Sequence, residues 1–205
     1  MKKTVICNIT MKDTLDRCVY TDPNGILPSS DRAVVYPINA YLEKTVTAED
    51  ELTVIALVKR DPHGFCDKNV EIFRQELLAA TAAVGARVEF RMVETEFAEN
   101  AAVHEELLGK LVDAIDDGAS ILVDITYGPK DLPFVSFVAL NFAERFLGCE
   151  VEAMLYGKVN FVGGKPTSPE LCDMMPLYML NSITASVDTD SSDKARKMLK
   201  TLISL

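Results

Sequence analysis

Short apolar runs alternate along the chain with longer segments in which apolar residues recur every three or four positions. The short runs are typical of buried strands, and the wider spacing is typical of amphipathic helices. One run shows alternating polarity, which is typical of a strand near a sheet edge. The predicted strands are 4–10, 52–58, 86–93, 120–125 and 151–159.

Helical spacing follows each strand in turn. The predicted helices are 37–46, 69–84, 99–116, 132–147, 174–187 and 192–203. Pro37 suits a first helical turn, where its missing N–H costs nothing. Segment 161–168 contains Gly163, Gly164 and Pro166 and predicts a turn. Because strands and helices alternate, we expect an α/β fold: a Rossmann-like, mostly parallel sheet with helices on both faces.

Length and composition favour one domain. The chain has 205 residues, of which 48% are hydrophobic and 25% charged, and this balance excludes a disordered chain. We expect a single domain over 1–205. Within it, 1–160 forms the Rossmann-like core, and 170–205 forms C-terminal helices that serve as a dimer or partner surface.

The apolar runs and the cysteines indicate where in the cell the protein is expected to be. No apolar run reaches the roughly 18 residues of a membrane span, and the N-terminal apolar run is too short for a signal peptide. The five cysteines are scattered without a C-x-x-C pair, which is typical of reduced thiols. We therefore expect a cytoplasmic protein without a membrane partner.

The net charge of the chain limits which kinds of ligand it could bind. The formal net charge of −10 argues against duplex nucleic acid, whose binding depends on neutralising phosphates with Lys and Arg. A small anion remains possible, because backbone N–H groups and one or two cations can hold it. His63 and His104 lie far apart, and the acidic residues between 94 and 106 show no ligand spacing, so we expect no metal site and no cofactor.

Ligands of open parallel sheets bind beyond the carboxyl ends of strands. Two such ends carry chemistry here: Asn8-Ile9-Thr10 and the segment from Asp124 to Lys130. In the second, Thr126 offers a hydroxyl, Gly128 permits close backbone approach, and Lys130 offers a charge beside a helix N-terminus. These residues suit a phosphate-bearing ligand, and they also suit an ordinary strand-to-helix turn with an exposed lysine. Asp124 is expected to brace the loop by accepting backbone hydrogen bonds.

The segment Asp124-Ile-Thr-Tyr-Gly, followed by Lys130-Asp-Leu-Pro, resembles the Asp-x-Thr-His-Gly motif of a CRISPR-associated CARF family. Downstream, the Tyr156-Gly157 pair at the end of a strand resembles that family's Tyr-Gly pair. Cys172-Asp173-Met174 resembles its Asp-Leu-Thr helix start. The chain departs from the pattern at Tyr127, which replaces the family histidine, and in a first loop without glycine.

The resemblance implies a stand-alone sensor of type III CRISPR antiviral defence. It implies a homodimer that binds one cyclic oligoadenylate across its two-fold axis, with a possible separate effector protein as partner. The ligand-binding residues it implies are Asn8, Ile9, Thr10, Thr126, Tyr127, Gly128 and Lys130.

An alternative from the same resemblance is a metal-independent ring nuclease, in which a ribose 2′-OH attacks the adjacent phosphate. Lys130 would then stabilise charge and Thr126 or Tyr127 would orient the ring, so these three are the catalytic candidates. A third alternative, an unrelated Rossmann-like nucleotide enzyme, ranks low because no G-x-G-x-x-G or Walker pattern follows any predicted strand.

Overall fold

The computed structural model describes residues 1–60, 62 and 64–204, and within them six strands and six helices form. The strands are β1 (Lys2–Asn8), β2 (Glu51–Arg60), β3 (Arg87–Glu96), β4 (Ser120–Asp124), β5 (Glu150–Val162) and β6 (Lys165–Asp173). The helices are α1 (Pro37–Thr45), α2 (Cys66–Thr81), α3 (Ala101–Ala114), α4 (Asp131–Phe146), α5 (Met175–Ala185) and α6 (Ser192–Leu202).

The strands build one sheet in the order β3-β2-β1-β4-β5-β6. β1 to β5 pair in parallel, and β6 pairs antiparallel with β5. The expected α/β class with a mostly parallel, Rossmann-like sheet is therefore confirmed. α1 packs with α2, and α3 packs with α4. The right-handed crossovers that are usual between parallel strands put two such pairs on opposite faces of the sheet. The chain direction across the sheet reverses between β1 and β4, which is the switch point of this topology.

The main hydrophobic core lies between the sheet and the α1–α2 face. Val5, Cys7 and Ile9 contribute from the first strand and its continuation, and Leu42 and Phe73 contribute from the helices. The parallel strands are buried nearly throughout, which explains their continuous apolar runs. Edge strand β3 is largely half-exposed, as its alternating polarity predicts.

The β5–β6 hairpin is the main difference from the sequence prediction. Gly163 and Gly164 turn the chain with positive φ, as expected, but the residues after them form a strand rather than the rest of a turn. β6 contains two prolines and mostly polar residues, which mask strand propensity. Proline has no N–H to donate to the ladder, and edge strands are where a sheet tolerates it.

Residues Met1–Asp173 and Met174–Leu205 form two compact units. The second unit contains α5 and α6, and Ser191 caps α6 by accepting a hydrogen bond from the Lys194 amide. None of the helices in the part of the chain that is described has the length and apolar character needed to cross a bilayer.

Gly157 allows the closest approach between β5 and the start of α1. A Cβ added there would lie 2.3 Å from Cγ of Pro37 and 3.0 Å from Cε1 of Tyr20. The Pro37 ring cannot rotate away, so this position requires glycine. By contrast, a Cβ added at Gly109 on α3 would meet no atom within 4 Å.

We expect Gly157→Ala to lower the free energy of unfolding by about 1–3 kcal/mol, because it overpacks this contact. Gly109→Ala is the matched control and should raise it by about 0.5–1 kcal/mol, because a helical glycine pays more backbone entropy. Urea unfolding of both variants measures the two changes. An unchanged midpoint for Gly157→Ala would show that the chain relaxes around the added methyl.

Candidate functional site

A cleft of about 740 Å³ opens at the carboxyl ends of β1 and β4, on the switch point of the sheet. Three stretches supply most of its walls: residues within 10–20, the loop 126–129, and residues within 156–161. Pro62 and Phe97 complete the lining. The two strand ends that the sequence singles out therefore meet at one cleft.

Asp124 holds these walls together from below. One carboxylate oxygen, Oδ1, accepts a hydrogen bond from the Thr126 amide at 2.9 Å, and Oδ2 accepts one from the Ile38 amide at 3.1 Å. The side chain is fully buried. Burial raises the pKa of Asp124, and hydrogen bonds from Thr126 and the Ile38 amide offset part of that rise. The expected bracing role is what the contacts show.

A second buried carboxylate, that of Glu76 on α2, fixes the segment before α1. It accepts hydrogen bonds from the amides of Val35 at 2.9 Å and Tyr36 at 3.1 Å. It also pairs with Arg17, which lies in the segment that lines the cleft. The start of α1 has no side-chain cap of its own, so Asp124 and Glu76 satisfy amides there that would otherwise be unpaired.

Thr126 and Tyr127 line the cleft, but their hydroxyl groups are engaged in the fold. Thr126 Oγ1 accepts a hydrogen bond from the Gly157 amide at 2.8 Å. Tyr127 Oη donates to the Val35 carbonyl at 2.9 Å, and its ring packs edge-on against Tyr36. Burial raises the pKa of Tyr127 far above its usual value. These side chains shape the loop and present backbone to the cleft.

Gly128 and Asn8 meet beneath the loop. Gly128 has φ +87°, a backbone conformation that favours glycine, and a Cβ there would lie 2.8 Å from Cδ1 of Leu132, whose side chain would have to shift. Asn8 is 1% exposed, and within the described residues neither atom of its amide has a hydrogen-bond partner. An unsatisfied buried amide is costly and is found at sites that bind a ligand or change conformation.

Of the other predicted ligand-binding residues, one lines the cleft and two do not. Thr10 lines the cleft. Ile9 is buried in the core, and its amide extends the ladder to the Leu57 carbonyl at 2.9 Å, so its side chain cannot reach the cleft. Lys130 is exposed at the N-cap of α4 and does not line the cleft.

Three aromatic rings on the cleft wall are residues that the sequence analysis did not select. Phe97, Tyr156 and Phe161 are each between 38% and 53% exposed, which leaves part of each ring accessible to a planar ligand. Lys12 also lines the cleft, with its Nζ 5.9 Å from the Phe161 ring centre. Phe97 and Phe161 come from distant elements, so only the fold brings them together.

A charged cluster borders the cleft on the α3–α4 face. Lys59 at the end of β2 is 0% exposed, and its Nζ lies 2.6 Å from both Glu99 Oε1 and Asp131 Oδ2. His104 on α3 directs Nε2 towards the same carboxylates. Sequence spacing predicted no metal ligands here, yet Glu99, His104 and Asp131 place ligand atoms within 4.8 Å of one another. The three residues belong to a loop and two helices, so no local motif marks them.

A comparison with models of known protein families found no match, and a comparison with curated proteins found none either.

The raised pKa of Asp124 predicts how the contribution of this residue to stability changes with pH. An acid with a folded pKa above its unfolded pKa contributes most to stability at low pH and loses that contribution as pH rises through the folded pKa. We therefore expect the stability advantage of the wild type over Asp124→Asn to shrink as pH rises from about 4 towards neutrality. Urea unfolding at a series of pH values measures the difference.

Asp22→Asn is the opposite control. Burial raises the pKa of Asp22, but amide hydrogen bonds from Leu27, Asn24 and Ile26 outweigh burial and lower it. Its advantage over the variant should be fully present near neutrality and should fall as pH drops from about 5 to below 4, so it grows with rising pH where the Asp124 advantage does not. If the Asp124 difference also grew, the carboxylate would be stabilised by its two amides more than it is penalised by burial.

Proposed function

We propose that this chain binds a cyclic oligoadenylate in the switch-point cleft and acts as a sensor of that ligand. The observation that carries the proposal is the cleft itself, where the Asp-Ile-Thr-Tyr-Gly loop faces three open aromatic rings and a lysine. Such a sensor would act in type III CRISPR antiviral defence and pass its signal to a separate effector.

The chemistry of the walls suits a ring of AMP units. Adenine bases stack on exposed aromatic faces, and this stacking contributes about 1–3 kcal/mol per base. Phe97, Tyr156 and Phe161 offer such faces. The phosphates find Lys12 within the cleft and the N-terminus of α4, which has no side-chain cap, just beyond Pro129.

Binding without cleavage fits these contacts better than ring cleavage does. A nuclease of the metal-independent kind needs groups that are free to orient the ribose and to stabilise the developing charge. The Tyr127 hydroxyl donates to Val35, and the Thr126 hydroxyl accepts from Gly157. Of the three catalytic candidates, Lys130 remains with no hydrogen bond or ion pair among the described residues.

A homodimer would bring two such clefts to one ring. Helix α4 begins directly after the cleft loop and exposes an apolar stripe at every fourth position. The stripe consists of Phe134, Val138, Phe142 and Phe146. An exposed apolar row of this kind marks an interaction surface. A second copy across a two-fold axis suits it, because the stripe would then pack against itself beside both cleft loops.

The test of binding uses purified chain with cyclic tri-, tetra- and hexa-adenylate in the presence of a chelator. We expect one ring size to raise the melting temperature and to be recovered intact by chromatography. Lys12→Ala should weaken binding by about tenfold or more, since a charge-assisted hydrogen bond contributes about 1.5–3 kcal/mol. Lys110→Ala, on α3 away from the cleft, is the matched control and should bind normally.

Two outcomes contradict the proposal. If no ring binds, the chain keeps the fold without the function. If linear products accumulate and Lys130→Ala stops their formation, the chain is a ring nuclease and not a sensor.

The dimer has its own test. Calorimetric titration should give one ring for every two chains, and light scattering should give the mass of a dimer. Val138→Glu should produce monomers with weakened ring binding, because it buries a charge in the stripe. Leu78→Glu is matched in exposure, 54% against 53%, but lies on α2, and it should leave the dimer intact. A monomer that binds one ring per chain would overturn the two-fold arrangement.

A further inference from the structure

We propose that Glu99, His104 and Asp131 form a binding site for a divalent transition metal of the zinc class, beside the cleft. Zinc takes imidazole nitrogen and carboxylate oxygen as ligands, and three protein ligands with one open position are typical of its reactive sites. The site does not depend on cyclic oligoadenylate binding.

The distances among the three residues are compatible with a bound metal ion. His104 Nε2 lies 3.2 Å from Asp131 Oδ2 and 3.6 Å from Glu99 Oε2. Zinc bonds of about 2.1 Å at tetrahedral angles separate two ligand atoms by about 3.4 Å. The separation of His104 Nε2 from Glu99 Oε2 is therefore already close to one edge of such a tetrahedron, and one ligand atom from each of the three residues lies within 4.8 Å of the others.

Two buried polar atoms without hydrogen-bond partners independently support a metal site. Within the described residues, His104 Nε2 and Asp131 Oδ1 are buried from solvent and have no hydrogen-bond partner. Although Nε2 is close to Asp131 Oδ2, the approach lacks the alignment of a hydrogen bond. The Asp131 side chain is only 10% exposed, so bulk water cannot satisfy Oδ1. A metal between these atoms would satisfy both.

Lys59 orients the carboxylates for this purpose. Its ammonium binds Glu99 Oε1 and Asp131 Oδ2, which leaves Glu99 Oε2 and Asp131 Oδ1 free to coordinate. Outer contacts of this kind hold metal ligands in place. Two carboxylates and one ammonium leave one negative charge. A divalent ion with neutral His104 turns the total to +1, which a hydroxide or another anion at the open position would balance.

The proposed metal site lies close to the wall of the cleft. Phe97, two residues before Glu99, lines the cleft, and its ring centre is 5.7 Å from Lys59 Nζ. Pro129, two residues before Asp131, also lines the cleft. A bound ion would thus join the loop before α3, helix α3 itself and the start of α4.

The experiment titrates the chelator-treated full chain with Co²⁺, whose visible absorption reports its coordination. We expect one Co²⁺ per chain, displaced by Zn²⁺, without the intense near-ultraviolet band of thiolate ligation by the five cysteines. Saturating Zn²⁺ should raise the melting temperature by about 5 °C. His104→Ala and Glu99→Gln should each weaken binding at least about tenfold.

His63→Ala is the matched control, because it removes the chain's other histidine, and it should bind Co²⁺ as the wild type does. Glu99 is 58% exposed, so Glu99→Gln keeps the test valid if His104→Ala disturbs the fold. If the wild type binds no Co²⁺, the Lys59 ammonium is the only cation the cluster takes, and the proposal fails. It also fails if binding survives in both ligand variants.

Discussion

The buried carboxylate of Asp124 is the contact on which the cleft depends. It stands at the end of β4, beside the switch point, and accepts one amide from the cleft loop and one from the first turn of α1. A buried carboxylate must have such partners, because leaving it unpaired costs several kcal/mol. The loop cannot move away from α1 without breaking one of these bonds, so the loop conformation and the helix position are set together.

Glu76 and Lys59 repeat this arrangement at two other places. Each is nearly or fully buried at the edge of the sheet or on a helix against it, and each joins segments far apart in sequence. Glu76 secures the segment before α1, and Lys59 secures the start of α4. The cleft is therefore framed by paired charges in place of apolar packing. This framing is less stabilising than a hydrophobic core, but it fixes the positions of polar groups near a ligand.

The sequence analysis was most accurate where burial produces a strong pattern. The five parallel strands and the helices follow from apolar runs and helical spacing, since those features reflect burial on both faces of a sheet. The strand ends that the sequence singled out meet at one cleft, and its wall includes Thr10, Thr126, Tyr127 and Gly128; that these residues bind a ligand stays a prediction. The sequence pattern missed β6, where two prolines and polar residues hide an edge strand. The side chain of Ile9 lies in the core.

What the sequence by itself determined is the set of local choices: which segments are strands or helices, where glycine is needed, and which strand ends carry polar residues. These depend on neighbouring residues and on burial, both of which leave a periodic trace. What only the tertiary structure decided is which side chains meet. Phe97, Tyr156 and Phe161 share one wall, and Glu99, His104 and Asp131 share one cluster, although each set spans several elements. Which of these side chains lie together depends on the strand order and on the direction of the crossovers. The pattern of apolar and polar residues along the sequence does not contain this information.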